Sequence, residues 1–269
     1  MAQNDLCTLG DVKAWLGRTD TNSDAVLASL ITRTSRQILS YLRRPTVLPH
    51  TVNEVCDGTG GDSIMLREWP VLSITSLTIG GETIPPAPTW CGAGFLLEPW
   101  DGVPPGRSSR LAVKGFCLPR GVQNVSVSYR AGYQVSAESQ AVTNGALTVI
   151  APCGNWAADG GVTYADETPL VQVSGAPGPG QYQLTPDAPG SYTFNTGDNG
   201  QTVLITYGYV PADLADASIE LVGERFKYAQ RIGETSHSLG GNETVAFDNA
   251  RFTPLVAQFL APYRHVLPI

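Results

Sequence analysis

Charged side chains are scarce in this sequence of 269 residues. Asp, Glu, Lys and Arg make up 15% of it, and the net charge at neutral pH is −7. A protein that holds nucleic acid through its phosphates carries a dense basic surface, which this balance does not provide. No apolar run approaches the roughly 20 residues of a membrane-spanning helix. The first residues lack the basic-then-apolar pattern of a signal peptide. We therefore predict a protein that is made and used in a cytoplasm and has no membrane partner.

Cysteine occurs five times, without any CxxC pair. The odd number and the wide spacing argue against a disulfide framework and against a structural zinc site. We predict reduced and mostly buried thiols instead. The residues are Cys7, Cys56, Cys91, Cys117 and Cys153.

Histidine is rarer still, and the motifs of the common enzyme classes are missing. His50, His237 and His265 lie far apart. We find no HExxH, no GxSxG, no glycine-rich dinucleotide turn and no interpretable Cys/His spacing. Asp213 and Asp216 are paired carboxylates, but they begin a predicted helix, where the helix dipole explains them. We therefore expect no enzyme activity, no catalytic residue, no cofactor and no metal.

Glycine and proline, in contrast, are abundant, with 29 and 20 residues, which predicts many turns and much β structure. From residue 46 to 133 the apolar period is two, as in strands. The segment 57–62, DGTGGD, lacks the spacing of a calcium loop and the Lys-Ser/Thr of a phosphate loop, so we predict a hairpin turn. We predict a long loop over 85–105, held by Trp90, Phe95 and Trp100. The strand-like stretches are 46–56, 63–67, 71–79, 111–114 and 122–129.

Two helices are predicted ahead of these strands, over 8–17 and 24–43. Thr8 followed three residues later by an aspartate is a capping-box start, and Pro45 stops the second helix. A polar stripe on the second helix is either a solvated face or a contact for an acidic partner surface. Its residues are Ser29, Arg33, Arg36, Ser40 and Arg44.

The middle of the chain has the features of an insertion. Residues 134–144 are polar and predicted to be a structureless linker, and 146–207 are β-rich with short alternating strands. The pattern of Val125, Val127 and Tyr129 before this segment is repeated by Val203, Ile205 and Tyr207 after it. We therefore predict a host domain of residues 1–133 and 209–269, and an inserted β-rich domain of residues 134–208.

The third predicted helix, 211–232, has the widest apolar face. Pro211 suits its first turn, and Gly233 suits a left-handed cap. Its two adjacent apolar stripes exceed what one small core needs. Either the helix is buried by its own domain, or one stripe packs on a neighbouring subunit. The predicted subunit-interface residues are Leu214, Ile219, Leu221, Val222, Phe226 and Tyr228.

The tail is polar and glycine-rich over 234–247, which predicts an extended arm. Thr253 and Pro254 then begin a short apolar helix that ends before Pro262. Such an arm is suited to becoming ordered on a partner. The alternative is an arm that folds back on its own domain. In sum, we predict an α+β fold: a helical host domain with two N-terminal helices and one long C-terminal helix, a β-sheet region, an inserted all-β subdomain and the arm.

Several motifs, taken in order, resemble those of tailed-phage head-to-tail connector proteins, also called adaptor or head-completion proteins. The resemblance covers most of the host domain, and its order is more specific than any single motif. The motifs are LxxVKAWLG (9–17), YLRR (41–44), PVLSITSL (70–77), YRAGY (129–133), YVPADLADASIELVGERF (209–226) and RIGETSHSLGG (231–241).

The resemblance implies a virion structural protein of the neck, assembled from subunits made in the host cytoplasm. Such adaptors form a ring of about twelve copies below the portal protein. The ring joins the DNA-filled head to a tail-side stopper or tail-terminator protein. Double-stranded DNA passes through its lumen without sequence-specific binding, which an acidic protein permits. The resemblance assigns portal binding to 233–269, with the contact residues Leu255, Val256, Phe259, Leu260, Tyr263 and Arg264.

A second class of function stays open at this stage. The chain could be another virion structural or surface-binding protein, such as a tail or decoration component, that uses its inserted β segment. Four aromatic residues of that segment could stack on a carbohydrate, although core packing explains them as well. Exposed rings would favour binding, and buried rings would favour a scaffold. These residues are Trp156, Tyr164, Tyr182 and Tyr192.

Overall fold

A computed structural model describes residues 4–98, 110–185, 188–228, 236–239, 243–246 and 252–265. The described chain is mostly β-sheet, with sixteen strands and four α-helices. The predicted α+β fold with a helical host domain is therefore wrong. The reason lies in the period-two stretches, which build several sheets and outweigh the helices at the two ends of the chain.

The helices begin and end at recognisable caps. Thr8 Oγ1 accepts a hydrogen bond from the Asp11 N–H, and the Thr8 N–H donates to the Asp11 carboxylate, both at 3.1 Å. Gly17 then closes the first helix in the left-handed region, at φ 65°. Within the described residues no helix is long and apolar enough to span a membrane. The helices are α1 (Leu9–Leu16), α2 (Asp24–Leu42), α3 (Ala212–Tyr228) and α4 (Pro254–Leu260), with 3-10 turns at Thr196–Asp198 and Ala261–Tyr263.

The chain divides into two compact units. One consists of residues 1–45 and 210–264, and the other of residues 46–209 and 265–269. We call them the helical unit and the sheet unit. This division places the four α-helices and the two-stranded sheet near the C-terminus in one unit, and nearly all residues of the other strands in the second. The predicted host–guest division would instead set 134–208 apart. The host–guest boundary stays a prediction.

The first half of the sheet unit contains two antiparallel sheets around one core. The larger has the strand order β1-β7-β3-β4, and the smaller has the order β2-β6-β5. Buried Val125, Val127 and Tyr129 alternate along β7, as the period of two predicts. The strands are β1 (His50–Gly58), β2 (Ser63–Met65), β3 (Val71–Ile79), β4 (Glu82–Ile84), β5 (Gly94–Glu98), β6 (Arg110–Lys114) and β7 (Gly121–Ala131).

The second half of the sheet unit has a core of its own, formed by a three-stranded and a four-stranded sheet. Their strand orders are β10-β14-β8 and β11-β12-β13-β9. Tyr192 and Tyr207 are among its fully buried side chains. The strands are β8 (Gln134–Ala141), β9 (Ala146–Thr148), β10 (Gly154–Tyr164), β11 (Val171–Gln172), β12 (Gln181–Leu184), β13 (Ser191–Phe194) and β14 (Thr202–Pro211).

Three expectations about loops are corrected by the strands. The predicted linker 134–144 contains β8, because backbone pairing with β14, from Gln134 opposite Gly208 onwards, does not require apolar side chains. Segment 57–62 connects β1 and β2, which lie in different sheets, so it is not a hairpin turn. The predicted loop 85–105 contains β5, in which Phe95 is buried, whereas Trp90 is exposed. Trp100 lies outside the described residues.

The tail is not the extended arm that we predicted. Strands β15 (Ser236–Leu239) and β16 (Glu243–Ala246) pair as an antiparallel ladder. Helix α4 follows and buries Val256 and Leu260 completely. A polar, glycine-rich segment can pair with itself through backbone hydrogen bonds, and the apolar residues of α4 find cover within the chain.

The expectation of mostly buried thiols is also wrong. Cys91, Cys117 and Cys153 are exposed, Cys56 is half-buried, and only Cys7 is buried. Cys91 and Cys117 lie outside the ends of β5 and β6, and Cys153 lies just before β10, so their chain segments are not covered by a sheet.

Candidate functional site

Helix α3 organises the helical unit. Val222 lies at 0% exposure in a core cluster with Cys7, Val12, Leu27 and Ile31, which come from α1, α2 and the segment before them. Partly buried side chains pack around this cluster, including those of Ile219 and Phe226. One apolar stripe of α3 therefore packs on the other helices of the same chain.

The structure covers half of the predicted subunit-interface set inside the chain. Leu214, Leu221 and Val222 are buried, with no more than 3% of each side chain exposed. Ile219 and Phe226 are half-buried, and Tyr228 is 40% exposed. A neighbouring subunit could touch only the last three without unfolding the helix. The assignment of an interface to α3 stays a prediction.

An exposed aromatic surface lies where α1 meets α3. Trp15 is 68% exposed, although it carries the largest apolar side chain of α1. The guanidinium of Arg18 stacks over the Phe226 ring at 5.0 Å from its centroid and donates to Ser23 Oγ at 2.8 Å. We call Trp15, Arg18 and Phe226 the α1–α3 surface. Its residue types, Trp and Arg beside an apolar ring, are those that dominate binding energy in protein interfaces.

Gly223 accounts for the approach of α1 to α3. This buried glycine faces Trp15 and Leu16, and a Cβ built on it would lie 3.6 Å and 3.7 Å from their side chains. The sequence did not single out Trp15, because helix α1 has only eight residues and its apolar period is short. The LxxVKAWLG motif contains the residue but does not indicate its exposure.

Cys7 makes a buried polar contact in the helical unit. Its Sγ lies 3.4 Å from Ser218 Oγ, on the inward face of α3. Burial raises the pKa of Cys7 to about 12, and the nearby Asp11 and Asp5 carboxylates add to this against the opposing hydrogen bond with Ser218. A thiol with such a pKa stays protonated and is a poor nucleophile. Its role here is packing.

Helix α4 and its flanks lie on the helical unit itself. Thr253 Oγ1 donates to Glu220, at 3.5 Å, and the Tyr263 hydroxyl donates to Asp213 at 3.2 Å, both on α3. Arg44 Nε donates to the backbone oxygen of Tyr263 at 3.0 Å. The segment 252–264 therefore adopts the alternative arrangement, an arm that folds back.

The predicted portal-binding residues differ in their accessibility. Val256 and Leu260 are fully buried, and Phe259 and Tyr263 are half-buried. Leu255 is 48% exposed, and Arg264 is exposed with its guanidinium over the Tyr41 ring. Portal binding by this segment stays a prediction, and Leu255 and Arg264 are the members that a partner could reach directly.

The polar stripe of α2 is divided by the fold. Arg33, Arg36 and Ser40 are exposed, whereas Arg44 is 5% exposed. Arg36, Ser40 and Arg44 also line a cleft with Asn4 and other residues of the helical unit. The stripe is thus a solvated face for most of its length, and contact with an acidic partner stays a prediction.

The aromatic residues of the second sheet core are placed as a scaffold. Tyr182 and Tyr192 are buried, and their hydroxyls donate to the two oxygens of Asp159 at 2.6 Å and 3.1 Å. Trp156 and Tyr164 are half-buried. The Trp156 indole N–H donates to the Tyr192 hydroxyl at 3.0 Å. No fully exposed ring pair is available among these four, which disfavours sugar stacking.

His50 and His265 are the histidines whose side chains the structure describes, and the contacts given for them do not form a catalytic arrangement. His50 Nδ1 contacts the backbone oxygen of Leu48 at 2.9 Å, and His265 is buried. Among the described residues, no three His, Cys, Asp or Glu side chains converge as a metal-binding group.

Comparison with known proteins adds little to this geometry. No family model matches the chain, and no curated protein matches it. One similar solved structure is described as "Neck of empty GTA particle computed with C6 symmetry". A chain of that structure aligns with 100% of this chain and 95% of its own, at 14% sequence identity and a TM-score of 0.43. A score at this level is too low to support an argument about function.

Proposed function

We propose that this protein is a head–tail adaptor, a structural protein of a phage-like neck. Copies of the chain form a ring of about twelve subunits below the portal. The ring joins the head to a tail-side stopper or terminator protein and continues the channel for the DNA. The ordered motifs of the sequence resemblance are the basis of this proposal, and they cover α1, α2, β3, β7 and α3.

The α1–α3 surface carries the proposal at the level of geometry. A tryptophan with 68% of its surface in water is costly for a lone chain, because indole is a large apolar group. Arg18 stacks over the half-buried Phe226 ring, while most of the Trp15 indole is exposed. We propose that Trp15 inserts into the neighbouring subunit of the ring, beside Ile219 and Phe226.

The charge distribution suits a ring that encloses DNA. The helical unit, residues 1–45 and 210–264, carries eleven basic and eleven acidic side chains. The sheet unit carries six basic and thirteen acidic side chains, so the net charge of −7 belongs to it. DNA held through its phosphates needs clustered basic groups. We propose a lumen through which DNA slides, with the sheet unit contributing most of the repulsion.

The ring is tested by native mass spectrometry of the full chain, alone and with the portal ring from the same source. Trp15→Ala is expected to abolish assembly and leave a folded monomer, since most of the indole surface is exposed. Trp90→Ala is the matched control, because Trp90 is also exposed, at 63%, but lies in the sheet unit. Complexes of the Trp15→Ala protein with the same copy number as wild type would refute the proposed interface.

Portal docking is tested on α4 with two variants of the same helix. Leu255→Asp places a charge on an exposed apolar residue, and Gln258→Asp places one on an exposed polar residue. We expect Leu255→Asp to weaken binding to portal-bearing heads at least about tenfold, because an apolar contact is lost and the new carboxylate must be desolvated. The second is expected to bind as wild type. Equal binding of all three proteins would remove α4 from the portal contact.

A further inference from the structure

The second sheet core has no cationic side chain of its own. From Ala131 to Glu224 the chain contains no Lys, Arg or His. Its acidic groups therefore have no basic partner within the module of strands β8 to β14. The acidic residues of this module are Glu138, Asp159, Asp166, Glu167, Asp187 and Asp198. Buried charges in proteins are normally paired or bound to a metal ion.

Asp198 is the member of this set that has a buried oxygen atom without a hydrogen-bond partner in the described part of the chain. It is 6% exposed and lies at the end of the 3-10 turn that follows β13. Its Oδ1 accepts a hydrogen bond from the Tyr164 hydroxyl at 2.8 Å. Its Oδ2 is buried and has no hydrogen-bond partner in the described part of the chain. A buried carboxylate oxygen without a donor or a cation destabilises the fold, because it has lost its water without gaining a partner.

A pocket of about 400 Å³ lies at this carboxylate. Its lining combines two carboxylates with neutral oxygen donors and includes no basic side chain. Asp166 enters from the turn after β10, and Gln201 and Thr202 come from the start of β14. The lining residues are Tyr164, Ala165, Asp166, Asp198, Gln201 and Thr202.

Both walls of the pocket are fixed by short-range hydrogen bonds. In the turn after β10, Asp166 Oδ1 accepts from the Thr168 N–H at 3.0 Å, and the Tyr164 N–H donates to the Thr168 oxygen at 2.8 Å. In the opposite wall, the Gln201 N–H donates to the backbone carbonyl oxygen of Asp198 at 3.0 Å. Asn195 holds the 3-10 turn through the Gly197 N–H at 2.8 Å. The backbone of both walls and the Asp166 carboxylate are therefore held in place before any ligand arrives.

We propose that this pocket binds a calcium ion. Calcium takes six to eight oxygen ligands in flexible geometry, from carboxylates, amide oxygens, hydroxyls and water. The Asp166 and Asp198 carboxylates balance its charge of two, and the Gln201 amide oxygen and the Thr202 hydroxyl are the neutral ligands. Water completes the shell on the open side. The ion ties the turn after β10 to the 3-10 turn after β13, so the module becomes more stable when calcium is bound. The proposal differs from the expectation of no metal drawn from the sequence.

The donor set also indicates the strength of binding. With two carboxylates and an open side, the site belongs with the weak calcium modules, at a Kd of about 10⁻⁴–10⁻³ M. Magnesium demands compact octahedral geometry and gives up its water reluctantly. It is therefore expected to bind more weakly than calcium at this pocket.

The test is isothermal titration of the full chain, first treated with a chelator, against CaCl2 up to about 10 mM at constant ionic strength. One calcium ion per chain is expected, with a higher unfolding temperature in its presence. Asp166→Asn is expected to weaken binding at least tenfold, and Asp198→Asn to remove it. Glu167→Gln is the matched control, because Glu167 is the next residue of the same turn, is also exposed and does not line the pocket.

The outcomes separate a built site from general charge attraction. Absence of binding to the folded wild-type protein overturns the proposal. Equal loss in Asp166→Asn and Glu167→Gln also overturns it, since the acidity of the turn would then explain the binding. Magnesium bound as tightly as calcium overturns the choice of ion. If Asp198→Asn does not fold, the comparison of Asp166→Asn with Glu167→Gln, both at exposed positions, still decides.

Discussion

The hydroxyl of Tyr129, at the centre of β7, donates a hydrogen bond of 2.7 Å to Glu54 on β1. Both residues are buried. The same hydroxyl accepts the Glu68 N–H at 3.0 Å, and the same Glu54 oxygen accepts the Arg67 N–H at 3.0 Å. Burial raises the pKa of Tyr129, with a further contribution from Glu54. Tyr129 on β7 and Glu54 on β1 thus supply hydrogen-bond acceptors for two backbone N–H groups, those of Glu68 and Arg67, in the segment between β2 and β3.

Tyr129→Phe removes this contact and retains the ring. The Glu68 N–H then loses this acceptor, and the Glu54 oxygen loses one of its two donors. We expect a loss of about 1–3 kcal/mol in the free energy of unfolding. Urea unfolding followed by circular dichroism measures it. Glu54→Gln is the control, because its amide oxygen can still accept from the same donors, and its loss should be smaller. A change in Tyr129→Phe below about 0.5 kcal/mol would contradict the expectation.

Elements that depend on neighbouring residues in the sequence could be predicted, whereas elements that depend on distant contacts could not. The start of α1 follows from a local signal, the Thr8 capping box. Both α1 and α2 lie within a residue or two of their predicted bounds. Strand β8 was missed because its residues are polar, and only its partner β14 makes it a strand. The helical host domain was predicted by giving weight to three clear helices over many short strands.

The candidate site shows the same dependence on distant contacts. Residues of α3 were identified by their period, but a period does not tell whether the cover comes from the same chain. For Leu214, Leu221 and Val222 it does. The exposure of Trp15 depends on how α1 packs against α3, and the environment of the Asp198 carboxylate depends on the position of Tyr164 at the end of β10. Neither is a property of the neighbouring residues in sequence.

Two glycines are expected to respond to alanine in opposite directions. Gly223 lies in the interior of α3 with space for a Cβ at ordinary contact distance, 3.6 Å from Trp15. Because alanine is favoured over glycine in a helix, Gly223→Ala should raise the free energy of unfolding by roughly 0.5–1 kcal/mol. Gly132 adopts φ 134°, and a Cβ there would lie 2.5 Å from the backbone of Leu48. Gly132→Ala should lower it by ~2 kcal/mol or more.

Thermal and urea unfolding of the two variants check these signs. The comparison isolates backbone geometry, since the same methyl group is added each time. Destabilisation by Gly223→Ala would mean that Trp15 and Leu16 pack more tightly on α3 than 3.6 Å and 3.7 Å indicate. An unchanged stability of Gly132→Ala would show that the turn after β7 can relax.

The five thiols are expected to react in classes set by their burial. In the native protein, Cys91, Cys117 and Cys153 are exposed and should react first with a chromogenic disulfide reagent. Cys56 is half-buried, and burial with the nearby Glu54 and Asp57 raises its pKa, so it should react more slowly. Cys7, with its pKa raised to about 12, should react only after denaturation.

Mass mapping of the labelled peptides assigns each class to its residue. Cys7→Ser provides the control, because it should leave the fast class unchanged and remove only the thiol that appears on unfolding. Rapid labelling of Cys7 in the folded protein would contradict its burial between α1 and α3.

The contact between Glu138 and Tyr207 should make the stability of the protein depend on pH. The Tyr207 hydroxyl donates a hydrogen bond to the Glu138 carboxylate at 2.5 Å. Burial acts to raise the pKa of Glu138, but hydrogen bonds from Tyr207, Ile150 and others outweigh it and hold the pKa below its ordinary value. The stabilisation is therefore present above the ordinary carboxyl pKa and is lost as the pH falls through the lowered one. For Tyr207, burial and the bond to Glu138 raise the pKa. Its contribution is complete below the ordinary phenol pKa and is lost as the pH rises beyond it.

Removing either titrating group should therefore reduce the pH dependence of the free energy of unfolding, on the acid side for Glu138 and on the alkaline side for Tyr207. Glu138→Gln, which does not titrate, should be less stable than wild type at neutral pH and lose less on acidification below about pH 4.5. Tyr207→Phe should lose less above about pH 10. Urea midpoints measured across the pH range give both limbs. Ser139 is exposed and pairs with Leu204 in the same two strands, so Ser139→Glu tests whether any added carboxylate on β8 produces the acid limb. If Glu138→Gln keeps the full acid slope of the wild type, another carboxylate causes it, and the contact with Tyr207 is only structural.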